Sequence, residues 1–214
     1  MFLILLTAIT FTACGNDSDS PSSTPASAPA GPTTTQMGGS IQGVSLNLTT
    51  VVTTLAGTAL SLGSTDGTGP VARFTYPFGI TTDGTNLYVA DSSNHTVRKI
   101  VISTGVVTTL AGTAGSFGST DGTGSVARFY YPLGITTDGT NLYVADSDNH
   151  TVRKIVISTG VVTTLAGTAG SSGSTDGTGS VARFDWPRGI TTDGTNLYVA
   201  DTANHTVRKI VIST

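Results

Sequence analysis

The chain contains no glutamate, a single cysteine and few charged residues of either sign. Its 214 residues carry 13 acidic side chains, all of them Asp, and 10 Lys and Arg, for a net charge of −3. Without Glu and with little Lys, strong helix formers are scarce, whereas Thr, Val, Ile and Gly are abundant, which favours an all-β fold. The basic residues are scattered and form no stripe, so the composition argues against nucleic acid as a partner.

The single cysteine, Cys14, has no second cysteine with which to form an intrachain disulfide. It follows an apolar run, residues 1–13, that is shorter than the roughly 20 residues needed to span a bilayer and resembles a secretory signal. Phe11-Thr12-Ala13-Cys14-Gly15 is similar to the bacterial lipobox, with Phe11 in place of the usual Leu. We expect residues 1–14 to be a signal peptide and Cys14 to be lipidated. The resemblance implies a membrane-anchored protein of the bacterial cell envelope, outside the cytoplasm, and the alternative is a plainly secreted one.

Residues 15–43 are rich in Ser, Thr, Pro and Ala and show no hydrophobic period. Such a segment buries too little apolar surface to offset the entropy lost on ordering, and Pro keeps it extended. We predict a disordered tether that holds a folded region, residues 44–214, away from the membrane.

Three near-identical units fill the chain from residue 51 onward. Asp91–Ile100 returns as Asp146–Ile155 and again as Asp201–Ile210, so the period is 55 residues. A fixed period indicates one supersecondary unit that buries its apolar face against the next copy. Repetition also makes an enzyme less expected, because catalytic sites normally draw unlike residues from several elements.

Each unit predicts four short antiparallel strands, a to d, joined by tight turns. In the second copy, Asp138-Gly139 separates the first two strands, and an Asp-Gly pair between β-rich runs is a strong hairpin signal. Strands c and d are apolar on both faces, as expected for a sheet covered on each side. A repeated four-stranded meander of this kind predicts the blades of a β-propeller. The predicted blades cover about residues 74–112, 129–167 and 184–214, and a lone strand d is predicted at residues 51–57.

The motif Pro-x-Gly-Ile-Thr-Thr-Asp-Gly-Thr-Asn-Leu-Tyr-Val-Ala-Asp-x-x-Asn-His-Thr-Val-Arg-Lys-Ile occurs three times and resembles the NHL repeat. Thr96, Thr151 and Thr206 stand where the name-giving triplet Asn-His-Leu has Leu. The resemblance implies a six-bladed propeller, used in most members for binding and in a minority for catalysis.

Three blades are half of a six-bladed ring. They are too few to close a ring alone, because closed propellers typically have 4 to 8 blades. Two alternatives follow. Either two copies of the chain pair as a homodimer of three plus three blades, or the chain is a fragment of a longer propeller.

The polar residues of the motif are predicted to make structural contacts. One His per blade, spread around an axis, does not place three ligands around one metal ion. The Asp and Arg flank the b–c turn, where they can pair across the hairpin. We therefore predict no catalytic residue, no metal site and no cofactor. The structural set is Asp91, Asn94, His95, Arg98, Asp146, Asn149, His150, Arg153, Asp201, Asn204, His205 and Arg208.

The copies differ mainly in the d–a segment, at the entry to strand a and in the b–c turn. These two connections emerge at the same end of an antiparallel meander, whereas the a–b and c–d turns at the other end are unchanged. Drift in unconstrained loops is one explanation. Because aromatic residues are retained at three equivalent positions, we predict a binding surface instead. Its residues are Tyr76, Tyr131, Trp186, Phe78, Asp185 and Arg188.

Three functions remain open on the sequence. The favoured one is a binding or scaffolding module that engages a protein, peptide or glycan through the variable end of the blades. The second is a propeller-type metal-dependent lyase or lactonase, and the third is a truncated repeat product without activity of its own.

Overall fold

The computed structural model describes residues 50–212, together with the backbone of residues 40–41 and 44–45. The predicted signal peptide, Cys14 and most of the predicted tether lie outside these residues. Within the described part of the chain, no helix is long and apolar enough to cross a membrane. The boundary between the two units of the chain falls between Val51 and Val52. In the first unit, β1 (Ser40–Ile41) and β2 (Val44–Ser45) form a short antiparallel pair.

The second unit is built from short strands and single-turn 3₁₀ helices. The strands are β3 (Gly67–Thr68), β4 (Pro77–Thr82), β5 (Asn86–Asp91), β6 (Thr96–Val101), β7 (Val106–Gly112), β8 (Gly122–Thr123), β9 (Pro132–Thr137), β10 (Asn141–Asp146), β11 (Thr151–Val156), β12 (Val161–Ala166), β13 (Pro187–Thr192), β14 (Asn196–Asp201) and β15 (Thr206–Val211). The 3₁₀ helices are Gly69–Val71, Ser92–Asn94, Gly124–Val126, Ser147–Asn149, Gly179–Val181 and Thr202–Asn204.

The strands form three antiparallel sheets, which we call blades 1, 2 and 3. Their strand orders are β3-β7-β6-β5-β4, β8-β12-β11-β10-β9 and β13-β14-β15. The predicted all-β fold with four-stranded meanders is confirmed in blades 1 and 2, where strands a to d follow one another in the sheet. The two-residue strands β3 and β8 were not predicted; each pairs with the outer strand d of its blade. Blade 3 contains strands a to c within residues 50–212.

The a–b turn shows how local chemistry starts each hairpin. In blade 2, Asp138 accepts hydrogen bonds from the backbone N–H groups of Thr140 at 2.8 Å and Asn141 at 2.6 Å, and from the Tyr143 hydroxyl at 2.8 Å. Gly139 takes a positive φ of 90°, which glycine adopts without steric cost. Burial alone would raise the pKa of Asp138, but the hydrogen bonds from Asn141 and Thr140 lower it to about 2.

Adjacent blades pack face to face through the same residues at each junction. Tyr88 and Val97 of blade 1 lie in one buried cluster with Ile135 and Leu142 of blade 2, and the equivalent residues form a second cluster between blades 2 and 3. The sheets approach so closely at strand a that a Cβ on Gly134 would collide with the Arg188 carbonyl. Both faces of blade 2 are therefore covered, as the apolar strands predicted.

The strand d predicted at residues 51–57 is corrected by the structure, which shows no strand there. A strand d forms by pairing with a strand c, as β12 pairs with β11, and within residues 50–212 no strand c lies beside this segment. The segment nevertheless occupies the position of a strand d against blade 1. The Gly57 N–H donates to the Gly69 carbonyl at 3.0 Å, just as the Gly167 N–H donates to the Gly179 carbonyl at 3.0 Å.

Candidate ligand-binding groove

A buried ionic network holds the corner between strands b and c in each blade. In blade 2, the guanidinium of Arg153 donates to Asp146 at 2.8 Å and to Asp121 at 2.7 Å, and it lies 5.2 Å from the centre of the Phe129 ring. Asn149 donates to the same Asp146 carboxylate at 2.7 Å. Burial raises the pKa of Asp146 to about 6, and the positive charge of Arg153 limits that rise. The equivalent residues Arg98, Asp91 and Asn94 and Arg208, Asp201 and Asn204 make the same contacts.

The histidine of the motif connects one blade to the next. Nδ1 of His95 accepts a hydrogen bond from the backbone N–H of Tyr131 at 3.3 Å, and Nδ1 of His150 accepts one from Trp186 at 3.2 Å. An imidazole that accepts at Nδ1 carries its proton on Nε2. Burial lowers the pKa of His95, with the charge of Asp148 opposing the shift.

The aromatic residues just before strand a of each blade adopt a strained backbone conformation. Tyr76, Tyr131 and Trp186 have φ angles of 52°, 49° and 51°, in the left-handed region that bulky residues avoid. Such a residue costs roughly 1 kcal/mol or more and persists where the surroundings over-determine it. The consequence here is that all three aromatic side chains are exposed at the end of the blades where strand a begins.

Between blades 2 and 3, side chains from both blades line a groove of about 290 Å³. The lining residues are Tyr131, Leu133, Ser147, Asp148, Trp186 and Arg188. Blade 2 contributes the entry to its strand a and its b–c turn, and blade 3 contributes the entry to its strand a. The guanidinium of Arg188 lies 5.8 Å from the centre of the Trp186 ring, in cation–π geometry. Two aromatic rings, one acid and one base thus meet in one concave site.

The electrostatics of the groove are set by Asp148 and its neighbours. Burial raises the pKa of this carboxyl, while the charges of His150, His95 and Arg188 favour its ionised form. An acid and a guanidinium placed among apolar rings suit a ligand that has both apolar surface and polar groups, because a few oriented polar contacts fix its position.

The structure brings together only part of the predicted binding surface. Tyr131, Trp186 and Arg188 line the groove, whereas Asp185 lies beside it, with its carboxylate 3.5 Å from Nδ1 of His150. Tyr76 is exposed and Phe78 lines a separate concavity on blade 1. These last two residues do not reach the groove, because it lies at the junction between blades 2 and 3.

Sequence reasoning did not assign Leu133, Ser147 and Asp148 to the binding surface. A signal for them was present, since Ser147 and Asp148 occupy the b–c turn and Leu133 the entry to strand a, where the three copies differ. Within residues 50–212, no three His, Cys or Asp side chains are grouped as they would be around a metal ion. The side chains that line the groove offer apolar stacking combined with charged hydrogen bonding.

Four-stranded antiparallel sheets that repeat along the chain and cover one another face to face define a class, the β-propellers. The NHL repeat model matches residues 129–155 of this chain. The same motif occurs in all three units, so each unit is similar to an NHL repeat, and the sheets have the form of β-propeller blades.

Relatives and solved structures show the same likeness. Over 138 residues, which are 60% of the chain, the sequence is 39% identical to NHL repeat-containing protein 2 of Bos taurus, and the match covers 19% of that protein. A protein of unknown function from Bacteroides thetaiotaomicron is 30% identical with a TM-score of 0.56, over 60% of this chain and 32% of that one. An auxiliary nutrient binding protein of the same species is 26% identical with a TM-score of 0.56, over 62% and 36% of the two chains. The chain thus spans about a fifth of the curated relative and about a third of these two solved structures.

Proposed function

We propose that this protein is a binding module that captures a peptide segment of a partner protein in the groove between blades 2 and 3. The observation that carries the proposal is the convergence of Tyr131, Trp186, Arg188 and Asp148 on one concave site. Trp, Tyr and Arg are the residue types that contribute most binding energy in protein interfaces when they cluster. Asp148 and Arg188 supply the polar contacts that orient a bound segment.

Preorganisation supports the same proposal. The backbone N–H of Trp186 is held by His150, and that of Tyr131 is held by His95, so both rings start from fixed positions. A ligand that meets rigid aromatic anchors loses less conformational entropy on binding than one that must order them. The blades therefore serve as a scaffold, and the variable end of each repeat determines what is bound.

Affinity capture from cell-envelope extract tests the proposal, with captured partners identified and their binding then titrated. Replacing Tyr131 and Trp186 together by Ala is expected to weaken binding by more than about tenfold, since each buried anchor contributes about 1–2 kcal/mol. The matched control replaces Thr140 and Thr195 by Ala in the a–b turns at the opposite end of the blades. Tyr76→Ala is a second control, because Tyr76 lies outside the groove. Loss of binding in the controls with retention in the double variant would reject the groove as the binding site.

A small-molecule ligand is the second candidate. It is favoured by the similarity to the auxiliary nutrient binding protein of Bacteroides thetaiotaomicron. Titration of the purified chain with mono- and oligosaccharides separates the two candidates. Saturable binding of a saccharide that Trp186→Ala abolishes would favour the small ligand. No detectable saccharide binding, together with successful protein capture, would favour the peptide.

We further propose that Cys14 carries lipid and anchors the module to a bacterial membrane, outside the cytoplasm. The support is the sequence pattern alone, an apolar run that ends in Thr12-Ala13-Cys14. Stable anchoring takes two acyl signals, which lipoprotein processing supplies. Labelled palmitate is expected to enter the wild-type chain and not the Cys14→Ser chain. Equal labelling of both chains would reject the anchor.

A further inference from the structure

Two apolar faces of the blade stack are open in the described chain. On blade 1, a concavity of about 360 Å³ is lined by apolar residues that include Leu55, Phe74 and Ile80. Ile80 is 60% exposed, whereas its equivalent Ile135 in blade 2 is 6% exposed. On blade 3, Val207 is 77% exposed, whereas its equivalents in blades 1 and 2, Val97 and Val152, are fully buried. We call these surfaces the open face of blade 1 and the open face of blade 3.

The two open faces are chemically the two halves of an interface that the chain already makes twice. At the junction of blades 1 and 2, Tyr88 and Val97 pack with Ile135 and Leu142 in one buried cluster. The open face of blade 3 presents Tyr198 and Val207, which are equivalent to the first pair. The open face of blade 1 presents Ile80 and Leu87, which are equivalent to the second pair. The sets of equivalent residues in the three repeats are Tyr88, Tyr143 and Tyr198; Val97, Val152 and Val207; Ile80, Ile135 and Ile190; and Leu87, Leu142 and Leu197.

We propose that a second copy of this chain docks its blade 1 against the open face of blade 3, and that the contact is reciprocal. Two chains then form a closed ring of six blades, within the range of 4 to 8 that closed propellers adopt. Reciprocity follows from twofold symmetry, in which each chain offers both faces to its partner. The occupant is a second copy because its blades carry the residues that fit these faces elsewhere in the fold.

An exposed carboxylate on blade 3 supports this docking. Asp66 and Asp121 each accept a hydrogen bond from the backbone of a strand d threonine, Thr109 at 3.0 Å and Thr164 at 3.1 Å. Their equivalent in blade 3, Asp176, pairs with Arg208 within residues 50–212. The Asp176 side chain is 95% exposed, whereas those of Asp66 and Asp121 are 47% and 49% exposed. The residue equivalent to Thr109 and Thr164 is Thr54. A second copy brings its Thr54 to Asp176.

The segment with no strand partner completes the same junction. Residues 52–56 hold the position of a strand d against blade 1, and β15 is a strand c without a strand d in the described chain. In blade 2, Lys154 lies opposite Thr163 in the register of this pair. The equivalent pair is Lys209 of one chain and Thr53 of the second copy. Adding the strand satisfies backbone groups along the edge of β15, which otherwise remain available for pairing.

Disulfide trapping tests this register in the full chain, kept in mild detergent because of its apolar N-terminal run. On a Cys14→Ser background, one chain carries Thr53→Cys and a second, mass-tagged chain carries Lys209→Cys. Directly opposed residues of neighbouring strands lie close to the separation that a disulfide bridges. Mixing and oxidation are expected to yield a covalent dimer of one chain of each kind, while each chain alone yields none. Absence of the mixed dimer, or equal cross-linking of each chain with itself, would overturn the proposal.

Gly189→Ala is expected to block docking without disturbing the fold. A Cβ on the equivalent Gly79 or Gly134 would collide with a carbonyl of the next blade, whereas at Gly189 the nearest atom is the Ala200 Cβ at 3.5 Å. The variant is expected to abolish the mixed cross-link and to halve the protein mass measured by light scattering. Thr195→Ala, in the a–b turn, is the control and is expected to keep both.

The remaining outcomes also decide the proposal. A wild-type chain that stays monomeric at the highest attainable concentration would overturn it. A ladder of ever larger species from the chain with both cysteines would overturn ring closure, since an unclosed head-to-tail contact produces filaments. Circular dichroism of Gly189→Ala must match that of the wild type, and the cross-link between unaltered faces tests the contact independently of that variant.

Discussion

Replacing Arg153 by Met removes the centre of the ionic network in blade 2. The wild-type guanidinium is fully buried and pairs with Asp146 and Asp121, and it also donates to the Arg128 carbonyl at 2.8 Å. Met keeps the length and much of the packing of the side chain over Phe129. The substitution therefore leaves the buried Asp146 carboxylate without its cation, while the apolar contacts change little.

The expected cost at neutral pH is about 3–5 kcal/mol of unfolding free energy, which is typical when one partner of a buried ion pair is removed. Its pH dependence identifies the cause. Burial already raises the pKa of Asp146 to about 6, and loss of Arg153 raises it further. A raised pKa in the folded state contributes stability at low pH that is lost as pH rises through that pKa. Between pH 6 and 8 the variant is therefore expected to lose stability more steeply than the wild type, by up to about 1.4 kcal/mol per pH unit.

Urea unfolding, followed by circular dichroism at pH 6 and pH 8, measures both quantities. Lys154→Met is the matched control, because Lys154 is the next residue on β11 and makes no ion pair within the described chain; its expected effect is within about 0.5 kcal/mol. The double variant with Asp146→Asn is expected to recover part of the loss and the pH dependence. A cost for Arg153→Met no larger than that for Lys154→Met would refute the buried-charge argument.

Further predictions concern the turns and the close approach of strands. The carboxylate of Asp138 has a pKa lowered to about 2, so the stability it contributes is complete above about pH 4 and is lost as pH falls through 2. Because this carboxylate is exposed, the loss of unfolding free energy is at most about 1 kcal/mol. The melting temperature of Asp138→Asn is expected to fall less between pH 4 and 2 than that of the wild type. Gly112→Ala is expected to cost more than about 2 kcal/mol, since φ is +93° and the new Cβ would lie 2.5 Å from the His95 carbonyl. Gly115→Ala, with φ of +74° and open space around it, is expected to cost about 1 kcal/mol, and equal melting temperatures for the two variants would contradict the steric argument.

Much of the fold followed from short-range signals in the sequence. The Asp-Gly turns, the short β-rich runs beside them and the 55-residue period predicted the meander, because turn chemistry and strand pairing between neighbours depend on residues a few positions apart. The pairing of Asp91 with Arg98 across the b–c corner was predictable for the same reason. Their third partner, Asp66, was not, because it is 32 residues away from Arg98 and joins the network only after the d–a segment folds back along the blade.

The repeats by themselves determined which positions could vary and which end of each blade they occupy. Only the tertiary structure decided which of those positions meet. Asp148 and Trp186 line one groove because two blades pack side by side, while Tyr76 is chemically equivalent to Tyr131 and lies outside it. Residues 51–57 have a strand sequence and still form no strand in the described chain, since a strand exists only where a second strand satisfies its backbone. Local pattern thus determines the unit, and the contact between units determines the site.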